Sequence, residues 1–167
     1  MSFANTPPNK LQRFLQFLPA SRVGALVFAP TLHHIDRFLL RLSNGRVSIP
    51  GVLNGLPVIR LTTIGAKSGL PRTVPVVGLP DGDKIVLIAS NFGHAQNPAW
   101  YYNLRAHPEA TVVLPTHTGA YIAREATAKE RTRYWRRAAD LYLGYPAYQQ
   151  RAQGRVIPIM VLTPRTK

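Results

Sequence analysis

Apolar positions recur at two different periods along the 167-residue chain, and the change of period divides it. Over residues 1–44 the spacing is helical. Leu11, Phe14, Leu15 and Leu18 form one stripe, and Leu32, Ile35, Phe38, Leu39 and Leu42 form another. Lys10 and Arg13 flank the first stripe, and "SNG" closes the second with a glycine. Residues 1–44 therefore read as two short basic amphipathic helices, of a kind that packs on a core, covers a pocket or lies on a membrane surface.

From residue 57 the pattern becomes that of strands. "PVIRLTTI" (57–64), "RTVPVVGL" (72–79) and "KIVLIAS" (84–90) are rich in β-branched residues, and "PDGD" (80–83) between the last two is a hairpin signal. "NPAWYYNLRAH" (97–107) predicts a short helix with Asn97 as N-cap and Pro98 in the first helical position. "EATVVLP" (109–115) and "AYIAREA" (120–126) predict a second hairpin. "TAKE" (127–130) fits a capping box, with Thr127 as the cap and Glu130 reaching back, opening a helix through "RTRYWRRAADLY" (131–142). "GYPAYQQRA" (144–152) adds a further helical stretch and "VIPIMVL" (156–162) a final strand. Hairpins dominate and strand–helix–strand alternation is missing, which argues against a doubly wound parallel sheet. The expectation over residues 45–167 is an α+β, mainly β fold: a small antiparallel barrel with flanking helices.

Composition narrows the function. Lys and Arg number 21 against 7 Asp and Glu, a net charge of +14, which favours a polyanionic ligand or an anionic surface. Nucleic acid is not expected, because the aromatic residues are not interleaved with the cations. Cysteine is absent, which excludes thiolate chemistry and cysteine-held metals. The seven acids are scattered without catalytic pairing, and His33, His34, His94, His107 and His117 lack ligand spacing, so no metal site is expected. The longest apolar run near the N-terminus, "VGALVFAP" (23–30), is too short to cross a bilayer. A cytoplasmic protein is expected, in peripheral contact at most with the inner face of the membrane. A chain so poor in acid–base and nucleophilic groups works as an enzyme when a cofactor brings the chemistry.

Three stretches have the groups to bind one. "TTIGAKSGLPRTVP" (62–75) sets Lys67 and Arg72, with the hydroxyls of Ser68 and Thr73, on a connection shaped by Gly65, Gly69 and Pro71. The turn misses the nucleotide pattern GxxxxGK[ST]. It suits a phosphate or carboxylate tail, and equally an ordinary exposed loop. "ASNFG" (89–93) offers Ser90, Asn91 and backbone amides to a flat heterocycle, with Trp100 either walling it or packing in the core. "LYLGYPAYQQ" places Tyr142, Tyr145 and Tyr148 at three-residue spacing on one helical face, as hydroxyl donors or as a structural stripe.

Taken in order, "LTTIGAKSGLPRTVPV…DGDKIVLIASNFG…NPAWYYNLRAHPEATV…ER…W…LY…Y…Y…RVIPIMVLTP" resembles the deazaflavin-dependent nitroreductase family over roughly residues 57–164. The resemblance implies a split β-barrel, FMN-binding-like, and coenzyme F420, a deazaflavin with a phosphate and polyglutamate tail. It implies that Lys67, Ser68, Gly69 and Arg72 grip that tail and that Thr73 and Pro75 lie along the ribitol and ring. Ala89, Ser90 and Asn91 would meet the deazaflavin edge, with Pro98 and Trp100 nearby. Tyr142, Tyr145 and Tyr148, with Ser90, would serve the hydride acceptor: a quinone, a nitro compound or an activated enone. Homodimers are common among such barrels. Two positions depart from the pattern, Ala66 where many members have arginine and Asn91 where some have lysine. Some relatives have lost the cofactor, so the alternative implied is a non-catalytic fatty-acid or lipid carrier, and FMN is a further cofactor choice.

Overall fold

The computed structural model describes residues 58–114, 117–142 and 144–165; the helices expected over residues 1–44 lie outside them. Six strands close an antiparallel barrel: β1 (Val58–Ile64), β2 (Pro71–Asp81), β3 (Lys84–Ile88), β4 (Glu109–Val113), β5 (Thr118–Glu125) and β6 (Ile159–Pro164), in the spatial order β1-β2-β3-β6-β5-β4. Three helices flank it: α1 (Ala99–Ala106), α2 (Ala128–Leu141) and α3 (Gly144–Arg151). A 3-10 turn, Asn91–Gly93, follows β3. The expected α+β split-barrel architecture is the one observed.

Burial along each strand shows which faces are covered. β5 alternates exposed and buried positions because its outer face meets solvent, whereas β3 and the start of β6 are buried nearly continuously, being covered on both faces. The barrel interior holds Ile59, Leu61, Ile85, Leu87, Val112, Tyr121, Met160 and Leu162, plugged by Trp100, Tyr101 and Leu104 of α1. A second core lies outside the barrel. There Leu79, Val86, Ile88, Ile159 and Val161 meet Tyr134, Ala138 and Leu141 of α2 and Tyr145 and Tyr148 of α3.

β2 bridges the two layers. Its first seven residues pair with β1, Pro71 with Ile64 through Val77 with Val58, and its last four pair with β3 across the Gly82-Asp83 turn. The capping box of α2 forms as expected: the Thr127 hydroxyl accepts from the Glu130 N–H at 3.4 Å, and the Glu130 carboxylate accepts from the Thr127 N–H at 2.9 Å. Arg124 adds a bidentate pair to Glu130, 2.7 Å at both oxygens, and holds that carboxyl far below the usual carboxylate range.

Three local expectations are corrected. The N-cap of α1 is Pro98 rather than Asn97, because the Asn97 amide oxygen is taken by Arg155 at 2.5 Å. The last strand begins at Ile159 rather than at residue 156, since Pro158 has no N–H to give a ladder and the Ile157 N–H goes to the Gln149 side chain at 3.0 Å. Tyr142, Tyr145 and Tyr148 do not share one helical face: α2 ends at Leu141, Tyr142 is its extended C-cap, and the other two belong to α3.

Candidate functional site

The residues singled out in the sequence gather at the barrel end where β1 and β3 finish and β2 and β6 begin. The β1–β2 connection closes on itself through Gly65 N–H to the Leu70 carbonyl (2.9 Å) and Gly69 N–H to the Gly65 carbonyl (2.8 Å). Gly69 sits at φ +65°, where a side chain would be strained. Lys67, Ser68, Gly69, Arg72 and Thr73 are all exposed here. The ion pairs among the described residues are Arg124–Glu130, Arg133–Asp81 and Arg137–Asp81, so Lys67 and Arg72 face solvent without a carboxylate partner.

The turn is pinned from beneath. Asn103 of α1 is buried; its side-chain oxygen accepts from the Ala66 N–H at 3.0 Å, and its amide donates to the Thr63 hydroxyl at 3.0 Å. Sequence reasoning passed over Asn103. Its one signal was a poor helix former in the middle of a helix, a position that such a side chain occupies at a cost unless it has a hydrogen-bonding partner elsewhere.

From the turn, β2 leads toward the outer core. Val74 and Val76 face the barrel interior, so Thr73, Pro75 and Val77 alternate onto the outer face. The Thr73 hydroxyl pairs with that of Thr62 across the ladder at 2.8 Å, and Val77 packs against the cluster containing the tyrosines.

The second wall is the segment after β3. Ala89 is fully buried with its side chain in the barrel core, and Trp100 packs there as well, whereas Ser90, Asn91 and Pro98 are half-buried. Ser90 is right-handed helical, Asn91 and Phe92 have φ of 47° and 55°, and Gly93 has φ +81°. A right-handed residue followed by a left-handed one turns successive N–H groups to one side, an arrangement that receives anions and carbonyl oxygens. The segment docks on α3: Phe92 meets the Tyr148 ring edge-on at 6.0 Å, and a Cβ on Gly93 would stand 2.8 Å from the Tyr148 carbonyl.

Tyr142, Tyr145 and Tyr148 form a buried cluster of mutually edge-on rings with centroids 5.3–6.2 Å apart. The Tyr142 and Tyr148 hydroxyls share a 2.7 Å hydrogen bond. Burial pushes all three phenols up from their ordinary value, Tyr142 and Tyr145 furthest. The Arg151 guanidinium, 5.0 Å from the centre of the Tyr148 ring, pulls in the opposite direction. They are therefore proton holders at neutral pH. In the pair, one hydroxyl donates to the other and the acceptor's own proton is free for a third group.

A cavity of 410 Å³ opens at the opposite end of the barrel, among Gly82, Asp83, Lys84, Leu114, His117 and Arg165, and none of the expected site residues lines it. The candidate site is thus an open face along β2 and the 89–98 segment.

The sequence matches the model of the F420H(2)-dependent quinone reductase family over residues 36–164. An F420H(2)-dependent quinone reductase of Mycobacterium tuberculosis is 35% identical over 150 residues, spanning 79% of this chain and 94% of that relative. A solved F420-H2 dependent reductase, FDR-A, superposes with a TM-score of 0.58 at 34% identity, over 64% of this chain and 93% of that chain. Another solved structure, described as a domain-swapped dimer, gives a TM-score of 0.58 at 34% identity, over 64% of this chain and 79% of the other.

Proposed function

This chain belongs to the F420H(2)-dependent quinone reductase family, and from that premise we propose that the open face along β2 is where it binds reduced coenzyme F420 and presents it to a quinone. The donor set fits the cofactor's chemistry. An exposed glycine turn with two cations and no carboxylate partner among the described residues suits a polyanionic tail. When bound, the reduced deazaflavin supplies the hydride.

The protein's own part is binding, orientation and proton holding. Lys67 and Arg72, with the Ser68 hydroxyl and the Gly69 backbone, hold the tail. Thr73 and Pro75 give a flat outer strand face beside it. Ser90, Asn91 and the Asn91 N–H receive the polar edge of the ring, the Ser90 N–H being given to the Ile88 carbonyl at 2.8 Å, with Ala89, Pro98 and Trp100 fixing that segment from below and behind. The tyrosine cluster excludes water on the acceptor side. The Tyr142–Tyr148 pair keeps a phenolic proton at Oη for the quinone oxygen that gains charge.

The observation that carries this reading is the Lys67/Arg72 turn, anchored by Asn103 and continuous through β2 with the tyrosine cluster. Nitroaromatic and enone acceptors belong to the same proposal, since any acceptor whose oxygen gains charge meets the same phenol. So does a homodimer; one solved relative is described as a domain-swapped dimer. Peripheral contact with an anionic bilayer is also proposed, through the two basic helices expected over residues 1–44; among the described residues no helix is long and apolar enough to cross a membrane. The lipid-carrier alternative draws no support from these relatives.

The test is a fluorescence titration with F420, repeated with FMN and with Lys67→Ala and Arg72→Ala. Saturable F420 binding, weakened roughly tenfold or more by either substitution through loss of a charge-assisted contact, is expected. Absence of F420 binding, or binding indifferent to both substitutions, refutes the assignment.

A further inference from the structure

Arg155 opens the stretch "RVIPIMVLTP" that carries part of the family resemblance but has no site role in it, yet its guanidinium is the most heavily engaged of those described. All five of its N–H groups donate into one loop: Nε to the His94 carbonyl (3.2 Å), Nη1 to the Ala89 carbonyl (3.2 Å) and the Asn97 side chain (2.5 Å), and Nη2 to the Ser90 (3.0 Å) and His94 (2.9 Å) carbonyls. The acceptors run from the end of β3 to the start of α1, so one side chain clasps both ends of the 89–97 segment.

Two features of that segment explain what the clasp does. Asn91 and Phe92 are consecutive non-glycine residues in the left-handed region, followed by Gly93 at φ +81°. Such a run is intrinsically disfavoured and persists only where its surroundings impose it. Further, in a trans peptide the carbonyl and the next N–H point in opposite directions. With the Ser90 and His94 carbonyls drawn to Arg155, the N–H groups of Asn91 and Ala95 are turned away from it, and among the described residues they have no acceptor. Arg155 also lies four residues beyond α3, on the same stretch of chain as Tyr145 and Tyr148, and the loop packs on that helix through Phe92 and Gly93.

We infer that Arg155 is a positioning residue that locks the loop carrying Ser90 and Asn91 to the tyrosine-bearing helix, and so sets the register between the cofactor wall and the acceptor wall of the site. The inference rests on the assignment of residues 89–91 to F420 made above. A lysine in its place keeps the charge but offers three donors from one point, which cannot reach four acceptors at once.

The test compares the full-length wild type with Arg155→Lys, Arg155→Ala and Lys67→Ala by three readouts. These are hydrogen exchange of the 89–97 segment without cofactor, F420 affinity, and steady-state reduction of menadione by F420H2 well below the melting temperature. In Arg155→Lys the segment exchanges faster, F420 binds about tenfold more weakly, and kcat at saturating cofactor falls about a hundredfold, as expected for reacting groups displaced by about an ångström. Lys67→Ala instead raises the KM for F420H2 and leaves kcat close to wild type, the signature of lost uniform binding. If Arg155→Ala does not fold, the lysine variant decides alone. Faster exchange with unchanged affinity and kcat makes Arg155 a structural residue only and overturns the inference, as does unchanged exchange. A wild type that does not bind F420 overturns the site assignment itself, whatever the Arg155 variants do.

Discussion

Removing the Asn103 side chain tests how the cationic turn is held. Asn103→Ala deletes two hydrogen bonds of 3.0 Å, one to the Ala66 N–H and one to the Thr63 hydroxyl. The two losses are unequal. Ala66 is exposed, so water replaces the lost acceptor and the cost there is about 0.5–1 kcal/mol. Thr63 is 1% exposed, so its hydroxyl is left buried and unpaired, at roughly 1–3 kcal/mol. The sum is about 3 kcal/mol, or a fall in Tm of roughly 6–12 °C for a chain of this size. Chemical denaturation of the wild type, Asn103→Ala, Thr63→Val and the double variant measures it. In the double variant no hydroxyl is orphaned, so its loss falls short of the sum of the single losses by about 1 kcal/mol or more. F420 affinity falls in Asn103→Ala because the turn is released, and is largely retained in Thr63→Val because the Ala66 contact remains. A loss below about 0.5 kcal/mol in Asn103→Ala, strict additivity in the cycle, or equal F420 affinity in both single variants would each refute the reasoning.

The buried phenols predict alkaline sensitivity. With folded values raised above the ordinary tyrosine value, the native state keeps protons that the unfolded chain gives up, so their contribution is complete below about pH 10 and declines above it. Each contributes a slope of about 1.4 kcal/mol per pH unit there, so stability above pH 10 falls less steeply by that amount in Tyr145→Phe than in the wild type; phenolate absorbance near pH 10 in the folded wild type that the Tyr145→Phe substitution removes would contradict this. Gly93→Ala forces a Cβ to 2.8 Å from the Tyr148 carbonyl and 2.9 Å from the Arg151 Cβ at φ +81°. It should lower stability by about 2–3 kcal/mol and weaken F420 binding, and an unchanged Tm would mean the loop does not dock on α3 as described.

The sequence by itself determined the local rules of this protein. Period-two runs, the Gly82-Asp83 turn and the Thr127/Glu130 box were legible because each depends on neighbours a few residues away. The cations of the β1–β2 turn were legible for the same reason: glycine, proline and charge within one short connection state their own chemistry. What tertiary structure alone decided are the contacts between distant segments. The three tyrosines converge although a helix ends between them, because α3 packs against the same outer sheet face as α2. Asn97 gave up its cap to a guanidinium 58 positions away, and Asn103 reached 37 positions back to the turn. Arg155 carried no signal of its role, since one arginine among many in a chain of net charge +14 gains that meaning only when a loop closes around it. Hydrogen-bonding residues of this kind are satisfied by whatever the fold brings near, and which acceptors those are is fixed by barrel closure rather than by local pattern.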